Sequence, residues 1–345
     1  MNPHSQTGPD QHRTALDPSA RTDARLGHIV RLLADNSMLV VSGTKIAEEL
    51  GTNRSEVWRL IQLLRELGVE IAGHSATGYR LEAVPDLLLP DILEPLLRGT
   101  LFAGRLHHFF RTGSTNTVAM QAAALGEPEG AVFLAEEQTA GRGRGGHSWE
   151  SQASVGVYSS TILRPLLAPA DALLLSLVAG LAVCSAIESV TTIRPDLRWP
   201  NDVMLGDRKF CGILTELNAE VTRVRYAVVG IGINVNQSTF PPELEPRATS
   251  LRLETGRDWS RVEVAAALLK SLDREYRALL EGRESIHKRF EERSSYARRR
   301  EVHVEEDGGY DGITEGLDER GFLLVRTPQG LRTVLSGGVR ARRNG

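Results

Sequence analysis

The stretch Gly141-Arg142-Gly143-Arg144-Gly145-Gly146 places two arginines between four glycines. Glycine lets the backbone bend freely and approach a ligand closely. Each arginine adds a permanent charge and a planar fork of donors that matches a carboxylate or a phosphate. No Gly-Lys-Ser/Thr sequence follows, so the stretch is not a Walker A loop. Taken alone, it is compatible with an anion-binding loop or with a flexible, solvated basic loop.

The size and composition bound the class of protein. A chain of 345 residues is long enough for two or three domains, and 41% hydrophobic with 25% charged residues is ordinary globular composition. The net charge of −3 excludes a global basic field, so any DNA contact must come from a local surface. We expect no membrane span, because the longest apolar run, residues 172–187, is too short. Two cysteines form no disulfide framework and indicate a reducing cytoplasm.

Residues 24–82 predict a small unit of their own. Apolar residues recur at helical spacing over residues 25–34, and a short helix over 45–50 follows the start signal at Ser42. Asn53 or Ser55 can cap a helix over 55–67, and two short strands over 69–72 and 78–81 come next. This order is the plan of a winged helix-turn-helix, whose second helix enters the major groove of DNA.

The predicted DNA contacts lie on and near the helix over 55–67, which is the second helix of the helix-turn-helix. We expect them to be Thr44, Asn53, Arg54, Ser55, Glu56, Trp58, Arg59 and Gln62. A surface that tracks phosphates usually has an excess of positive charge. Residues 24–82, however, contain seven Lys/Arg and seven Asp/Glu. A docking module or a relic of a DNA-binding unit therefore remains the alternative.

The rest of the chain divides by pattern. Residues 1–23 predict a disordered polar tail, and residues 83–99 a proline- and leucine-containing linker. In residues 100–296, predicted strands over 130–137, 155–163, 197–199, 212–217 and 223–233 alternate with helices over 173–189, 261–280 and 285–293, which is typical of an α+β core. Residues 297–345 contain short strands with glycine turns and predict a small closed barrel of SH3 type.

Three further segments carry polar residues or glycines where strands meet loops. Ser114-Thr115-Asn116 opens a helix and, taken singly, is an ordinary N-cap. Trp199-Pro200-Asn201-Asp202 is by itself a turn signal, and Lys209 follows it closely. Gly230 and Gly232 are spaced for close backbone approach near the end of a strand that leads into Asn234.

Together these segments resemble the catalytic core of biotin–protein ligases. The shared order is Ser-Thr-Asn, Gly-Arg-Gly-Arg-x-Gly, Trp-Pro-Asn-Asp, Lys-x-x-Gly and Gly-x-Gly-x-Asn. With a winged helix in front and a barrel behind, residues 24–343 resemble the bifunctional class that ligates biotin and represses biotin-synthesis genes. The resemblance implies an α+β protein with an N-terminal winged helix-turn-helix, a central mixed α/β ligase core of class II synthetase-like type and a C-terminal SH3-like barrel.

The resemblance also implies residue roles. The biotin contacts are Ser114, Thr115, Asn116, Gln138, Arg142, Gly143, Arg144, Lys209 and Gly232. The ATP or adenylate contacts are Gly141, Arg142, Arg144, Trp149, Asn201, Lys209 and Asn234. Lys209, Arg142 and Arg144 are the catalytic residues. Some members carry a third arginine where Gly145 stands, which implies weaker retention of the adenylate here.

The implied substrates and partners follow from the same resemblance. Biotin and ATP are the substrates, and Mg²⁺ comes with ATP rather than from a dedicated protein site. The partners are a biotin carboxyl carrier domain, operator DNA and, in the adenylate-bound form, a second copy of the chain, with no membrane. The rival functions are a lipoate or octanoyl ligase and a regulator with a degenerate core. The Gly-Arg-Gly-Arg loop argues against the first, and retention of Lys209 and both loop arginines argues against the second.

The chemistry of activating a carboxylate demands such residues. Two anions must approach each other, so the site needs positive charge and fixed donors. The reactive intermediate must be kept from water, which suits a glycine-rich loop that orders over a ligand. Asp202 would either help to deprotonate or orient the acceptor amine, or have a salt-bridge or turn role. Cys211 is interpreted as a buried structural side chain rather than a nucleophile.

Overall fold

The computed structural model describes residues 20–74, 76–83, 86–283, 285–306, 308–335 and 338–341. The N-terminal unit contains α1 (Ala20–Asp35), α2 (Gly43–Glu49), α3 (Arg54–Glu66) and a hairpin of β1 (Ile71–His74) and β2 (Gly78–Leu81). The predicted helix-turn-helix order is therefore confirmed. Of the predicted tail, residues 1–23, the part up to residue 19 lies outside the described residues, and the prediction is wrong for residues 20–23, which form the first turn of α1.

The helix starts of this unit rest on side-chain caps. Ser42 Oγ accepts a hydrogen bond from the Lys45 N–H, and Asn53 Oδ1 accepts one from the Glu56 N–H. Of the two candidate caps before α3, the structure uses Asn53, since its backbone is extended while Ser55 lies inside the helix. The apolar face of α3 (Val57, Leu60, Ile61 and Leu64) is fully buried.

The linker joins the first unit to the central one. It contains α4 (Pro90–Leu93), followed by a 3₁₀ turn, Glu94–Leu97. Successive leucines of the linker pack in different cores: Leu87 and Leu89 pack in the N-terminal core, and Leu88 packs in the central one. The two units therefore share a continuous packed boundary.

The central unit is built on a seven-stranded mixed sheet. Its strands are β3 (Leu106–Thr112), β4 (Val132–Gln138), β5 (Gly156–Leu163), β6 (Asp196–Arg198), β7 (Asp202–Leu205), β8 (Arg208–Ala219) and β9 (Val224–Asn234). They lie in the order β3-β4-β5-β9-β8-β7-β6. Only the β3–β4 pair is parallel, because α5 (Thr115–Ala124) crosses between them.

Sequence patterns missed part of this sheet. Trp199-Pro200-Asn201-Asp202 predicted only a turn, but Asp202 begins the short strand β7, which pairs with a β8 that starts four residues earlier than predicted. Four-residue strands next to turn residues give little alternation from which to predict them. The remaining helices are α6 (Leu173–Val190), α7 (Leu251–Thr255), α8 (Arg261–Glu281) and α9 (Ile286–Arg293).

Helix α6 and the turn before it, Pro169–Val190, form one stretch that is long and apolar enough to cross a membrane. The length argument used to exclude a span was therefore wrong. Burial identifies the helix instead, because 78% of its most apolar window lies inside the protein. It packs against α8 and the sheet as the central helix of the core.

The C-terminal unit is a five-stranded antiparallel sheet. It contains β10 (Arg298–Val304), β11 (Tyr310–Leu317), β12 (Leu323–Thr327), β13 (Gly330–Val334) and β14 (Val339–Ala341), in the order β13-β12-β11-β10-β14. Its closure into an SH3-like barrel stays a prediction. The Trp199 indole N–H donates to the Gly321 carbonyl at 2.8 Å and ties this unit to the central one.

A buried ion pair connects the strand that leads into the site with the linker and α8. Glu136 and Arg261 are almost inaccessible to solvent, and Arg261 Nη1 lies 2.7 Å from Glu136 Oε2. The other carboxylate oxygen contacts His108 Nε2 at 2.9 Å and accepts from the Leu88 N–H at 2.8 Å. Asp86 of the linker accepts hydrogen bonds from the first N–H groups of α8.

The pKa of Glu136 reflects this arrangement. Burial by itself raises the pKa, but Arg261, His108 and the Leu88 N–H favour the carboxylate and lower its pKa to about 2. The stabilisation is therefore fully present above the unfolded carboxyl pKa of about 4.3 and is lost as the pH falls toward 2.

Replacing Glu136→Gln should lower the free energy of unfolding at pH 7 by about 3–5 kcal/mol. The reason is that the buried Arg261 charge would lose its nearest counter-charge and keep only the Asp86 carboxylate, 3.6 Å from its Nε. Urea denaturation measures the change. Glu137→Gln, the next residue, removes a carboxylate paired with the exposed Arg111 and should change the value by no more than about 0.5 kcal/mol. Equal effects of the two substitutions would contradict this assignment.

Candidate active site

One cavity collects most of the residues that the sequence singled out. The space between its lining atoms, which includes open solvent, is about 430 Å³. Its lining residues are Ser114, Thr115, Asn116, Gln138, Arg142, Gly143, Arg144, Trp149, Tyr158, Ser159, Ser160, Asn201, Lys209, Gly212, Ile213, Leu214, Gly230 and Ile231.

Three of the predicted biotin or ATP contacts do not line the cavity. Gly141 accepts a hydrogen bond from the Trp149 N–H through its carbonyl, and this bond closes the base of the loop. Gly232 lies beneath the Trp149 indole. The buried Asn234 side chain donates to the Thr249 carbonyl at 3.0 Å. In this structure, Asn234 therefore anchors the segment that follows β9.

The start of α5 forms a hydrogen-bonded polar wall. Gln138 Oε1 accepts from the Thr115 N–H at 2.8 Å and lies 3.0 Å from the Thr115 hydroxyl. The Ser160 hydroxyl lies 2.7 Å from Thr115 Oγ1 and 2.6 Å from Asn116 Oδ1. Ser114, Thr115 and Asn116 are buried. The wall thus offers fixed amide and hydroxyl groups to a polar ligand.

The glycine–arginine loop folds back on itself. The Gly143 N–H donates to the His147 carbonyl at 2.7 Å, and Arg142 and Ser148 form an isolated β-bridge. The Arg142 guanidinium forks onto Glu216, with nitrogen–oxygen distances of 2.8 and 3.0 Å. Arg144 is exposed and has no ion-pair partner among the residues that the structure describes. The loop therefore presents one fixed and one unpaired cation.

Lys209, the second residue of β8, also lines the cavity. Its Nζ lies 2.6 Å from Asp202 Oδ1, and Arg198 Nη2 lies 2.8 Å from Asp202 Oδ2. Burial raises the pKa of Asp202, but the charges and hydrogen bonds of Lys209 and Arg198 outweigh burial and hold the pKa below its usual value. Asp202 is thus an ionised anchor between two cations.

Glycines let side chains lie flat on the sheet. Gly212 and Gly232 are directly opposite each other on β8 and β9, and a Cβ on either would approach the Trp149 ring within 2.8 Å. The Lys209 Nζ lies 5.4 Å from the centre of that ring. The Trp149 indole N–H is buried with no hydrogen-bond partner among the described residues. The cavity floor therefore holds an unused donor.

The sequence missed several lining residues. Ser159 and Ser160 lie in the middle of β5, whose residues are all buried, and hydroxyls in an otherwise apolar strand were the available signal. Gly230 was noticed only as part of its motif, yet a Cβ there would lie 2.1 Å from Asn116 Oδ1. Glu216 was not singled out at all.

Cys211 is not a candidate nucleophile. Its side chain is fully buried, and burial raises the pKa of its thiol well above the usual value. The interpretation as a structural cysteine agrees with this environment.

The predicted DNA contacts lie on and beside α3. Thr44, Asn53, Arg54, Ser55, Trp58 and Arg59 are exposed, and the Trp58 side chain is 51% exposed. Glu56 pairs with Arg59 at 2.8 Å, so part of the positive charge on this face is neutralised. A tryptophan this exposed lies outside the core of the unit, and its contact with DNA stays a prediction.

Comparisons with known proteins identify all three units. The HTH domain model matches residues 25–80, the Biotin/lipoate A/B protein ligase family matches residues 109–234, and the Biotin protein ligase C terminal domain matches residues 300–339.

Full-length relatives share the whole arrangement. The bifunctional ligase/repressor BirA of Bacillus subtilis is 35% identical over 321 residues, covering 90% of this chain and 97% of that protein. The Escherichia coli protein of the same name is 30% identical over 321 residues, covering 91% and 96%. Among solved structures, the biotin protein ligase from Aquifex aeolicus in complex with biotin and ATP has 35% identity and a TM-score of 0.60, covering 70% of this chain and all of that one. With its three units in this order, the chain belongs to the family of bifunctional biotin protein ligases and repressors.

Proposed function

We propose that the chain is an ATP-dependent biotin–protein ligase that makes biotinyl-5′-AMP and transfers biotin to a lysine of a biotin carboxyl carrier domain. The observation that carries the proposal is the cavity in which Arg142, Arg144 and Lys209 face the polar wall of Ser114, Thr115 and Asn116. Three cations beside neutral amide and hydroxyl groups suit a ligand with one anionic and one neutral polar end.

The first step joins two anions. A carboxylate oxygen of biotin forms a bond to the α-phosphorus of ATP, and pyrophosphate leaves. Fixed positive charge lowers the barrier because negative charge is shared among the reacting groups in the transition state. Lys209 and the two loop arginines supply that charge. The Gln138 and Trp149 N–H groups offer donors for the neutral parts of the ligands.

The second step consumes the intermediate. The neutral amine of an acceptor lysine attacks the acyl carbon, AMP leaves, and the amine loses its proton. Asp202 is held between Lys209 and Arg198, and we assign it the orientation of Lys209 rather than the role of general base. A carboxylate with a lowered pKa that is already bound by two cations is a weak proton acceptor.

Water must be excluded between the two steps. Arg144, on the exposed part of the loop, would close onto the phosphate of the adenylate. We propose that the glycines of this loop allow that closure. Mg²⁺ would enter with ATP and be bound by phosphate oxygens. No group of three or more His, Cys, Asp or Glu side chains among the described residues could hold a metal ion.

The remaining expectations are part of the same proposal. We retain the division into residues 24–82, 83–99, 100–296 and 297–345, an adenylate-bound homodimer and a cytoplasmic location. Two buried free cysteines support a reducing compartment. Repression of biotin-synthesis genes would follow from binding of α3 to operator DNA.

The assay that tests the ligase combines labelled biotin, ATP–Mg²⁺ and a carrier domain. One lysine of the carrier should become labelled, and lipoate in place of biotin should give no product. Transfer of lipoate but not of biotin would replace this proposal by the lipoate ligase alternative.

In the same assay, Lys209→Ala should lower the rate of adenylate formation by about a hundredfold or more, since a donor aimed at developing charge contributes that much. Biotin-dependent exchange of pyrophosphate into ATP measures this rate. Lys270→Ala removes an exposed lysine of α8 and serves as the matched control. A normal exchange rate for Lys209→Ala would remove its assigned role.

Trp58→Ala should weaken binding to DNA from upstream of the biotin-synthesis genes by at least about tenfold, since aromatic side chains carry much of the energy of an interface. Gel shifts with and without biotin and ATP measure this. Leu280→Ala, which truncates a residue 53% exposed on α8, should bind like the unchanged protein. If the unchanged protein shifts no DNA under any condition, the repressor assignment fails.

A further inference from the structure

Glu216 is the carboxylate around which the cavity's polar groups are organised. It lies on β8, opposite Val228 of β9, and does not itself line the cavity. Its Oε1 lies 2.8 Å from Arg142 Nη2, and its Oε2 lies 3.0 Å from Arg142 Nη1. The same Oε2 accepts from Asn116 Nδ2 at 3.0 Å. One carboxylate therefore binds both the cationic loop and the start of α5.

The orientation of Asn116 makes this contact specific. Its Oδ1 lies 2.6 Å from the Ser160 hydroxyl, which directs Nδ2 toward Glu216. The amide fits against the sheet only because Gly230 has no Cβ, since one there would lie 2.1 Å from Oδ1. A chain of polar contacts thus runs from Ser160 of β5 through Asn116 and Glu216 to Arg142.

The charge of Glu216 is unfavourable for the chemistry taken alone. A carboxylate so close to the cavity repels the anionic ligands that the cations attract. Glu216 compensates for this repulsion by fixing the position of the Arg142 guanidinium. The fork onto Glu216 uses two of the five N–H donors of the guanidinium, so its plane is fixed while three donors remain for a ligand. Pre-ordering the side chain lowers the entropy cost of binding.

We propose that Glu216 is a positioning residue for ligation: it fixes Arg142 and sets the register of the loop Gly141–Gly146 against the segment Ser114–Asn116. This inference rests on the proposed ligase function, because Arg142 is taken to contact the ligands. Glu216 touches neither substrate and acts through Arg142 and Asn116.

A double-mutant cycle separates positioning from general destabilisation. Glu216→Ala should lower kcat/KM for adenylate formation by about tenfold. In an Arg142→Ala background, the same change should cost no more than about twofold, because the cation to be positioned is gone and only the contact of Glu216 with Asn116 remains. If the two effects multiply, or if Glu216→Ala raises kcat/KM by removing repulsion, the proposal is overturned.

A second measurement needs no enzymatic activity. Trypsin cleaves after arginine, so cleavage of the loop at Arg142 and Arg144 reports its freedom. The isosteric Glu216→Gln should be cut several-fold faster than the unchanged protein. Glu220→Gln is the matched control, because Glu220 follows the same strand and pairs with Arg223 and Arg225 away from the cavity. Equal cleavage of all three proteins would refute the positioning role.

The two proposals fail in different ways. If the unchanged protein makes no biotinyl adenylate, the ligase function fails, while the trypsin comparison still tests whether Glu216 orders the loop. If the unchanged protein is active but the cycle is additive, only the role of Glu216 fails. Should Glu216→Ala not fold, the cycle is run with Glu216→Gln, for which a nearly unchanged rate would contradict the proposal.

Discussion

The buried pair of Glu136 and Arg261 is the interaction on which the rest of the molecule depends. Glu136 lies two residues before Gln138, the last residue of β4. Its carboxylate also contacts His108 of β3 and the Leu88 N–H of the linker. Because neither charge has access to water, separating them inside the protein would leave each charge buried without the attraction that compensates for its lost hydration. The ion pair therefore fixes the end of β4, the linker and the start of α8 relative to one another. The polar wall and the glycine–arginine loop, which adjoin the end of β4, are positioned by it.

Within the cavity the cations are arranged by the carboxylates behind them. Arg142 is held by Glu216, and Lys209 is held by Asp202. Each pair reduces the repulsion between neighbouring positive charges and restricts long side chains that would otherwise sample many rotamers. Arg144 alone is left without such a partner among the described residues. The site thus contains two cations, Arg142 and Lys209, that are preorganised by ion pairs, and a third, Arg144, that can change position when a ligand binds.

What the sequence predicted, and what it did not, follows from the range of the interactions. The helices of the N-terminal unit could be predicted because their periodicity and caps such as Asn53 are local signals. The residues of the cavity could be predicted because five motifs occur in a recognisable order. The pairing of Arg142 with Glu216 spans 74 residues, and that of Glu136 with Arg261 spans 125. Nothing near Glu216 in the sequence distinguishes it from a half-exposed strand residue. Its contacts with the loop form only when strands β8 and β9 and the loop come together in the folded protein.

The glycines of β8 and β9 have two effects: they allow side chains to approach the sheet closely, and they fix the orientation of the loop. Side chains alternate along a strand, so Gly230 and Gly232 open two successive positions on the same face of β9, and Gly212 opens the facing position on β8. Asn116 occupies the first opening and Trp149 the other. A side chain at Gly230 would displace the amide that directs Glu216, and one at Gly212 or Gly232 would lift the indole from the sheet. The glycines that admit close approach therefore also fix the orientation of the loop, because the loop's own tryptophan rests on them.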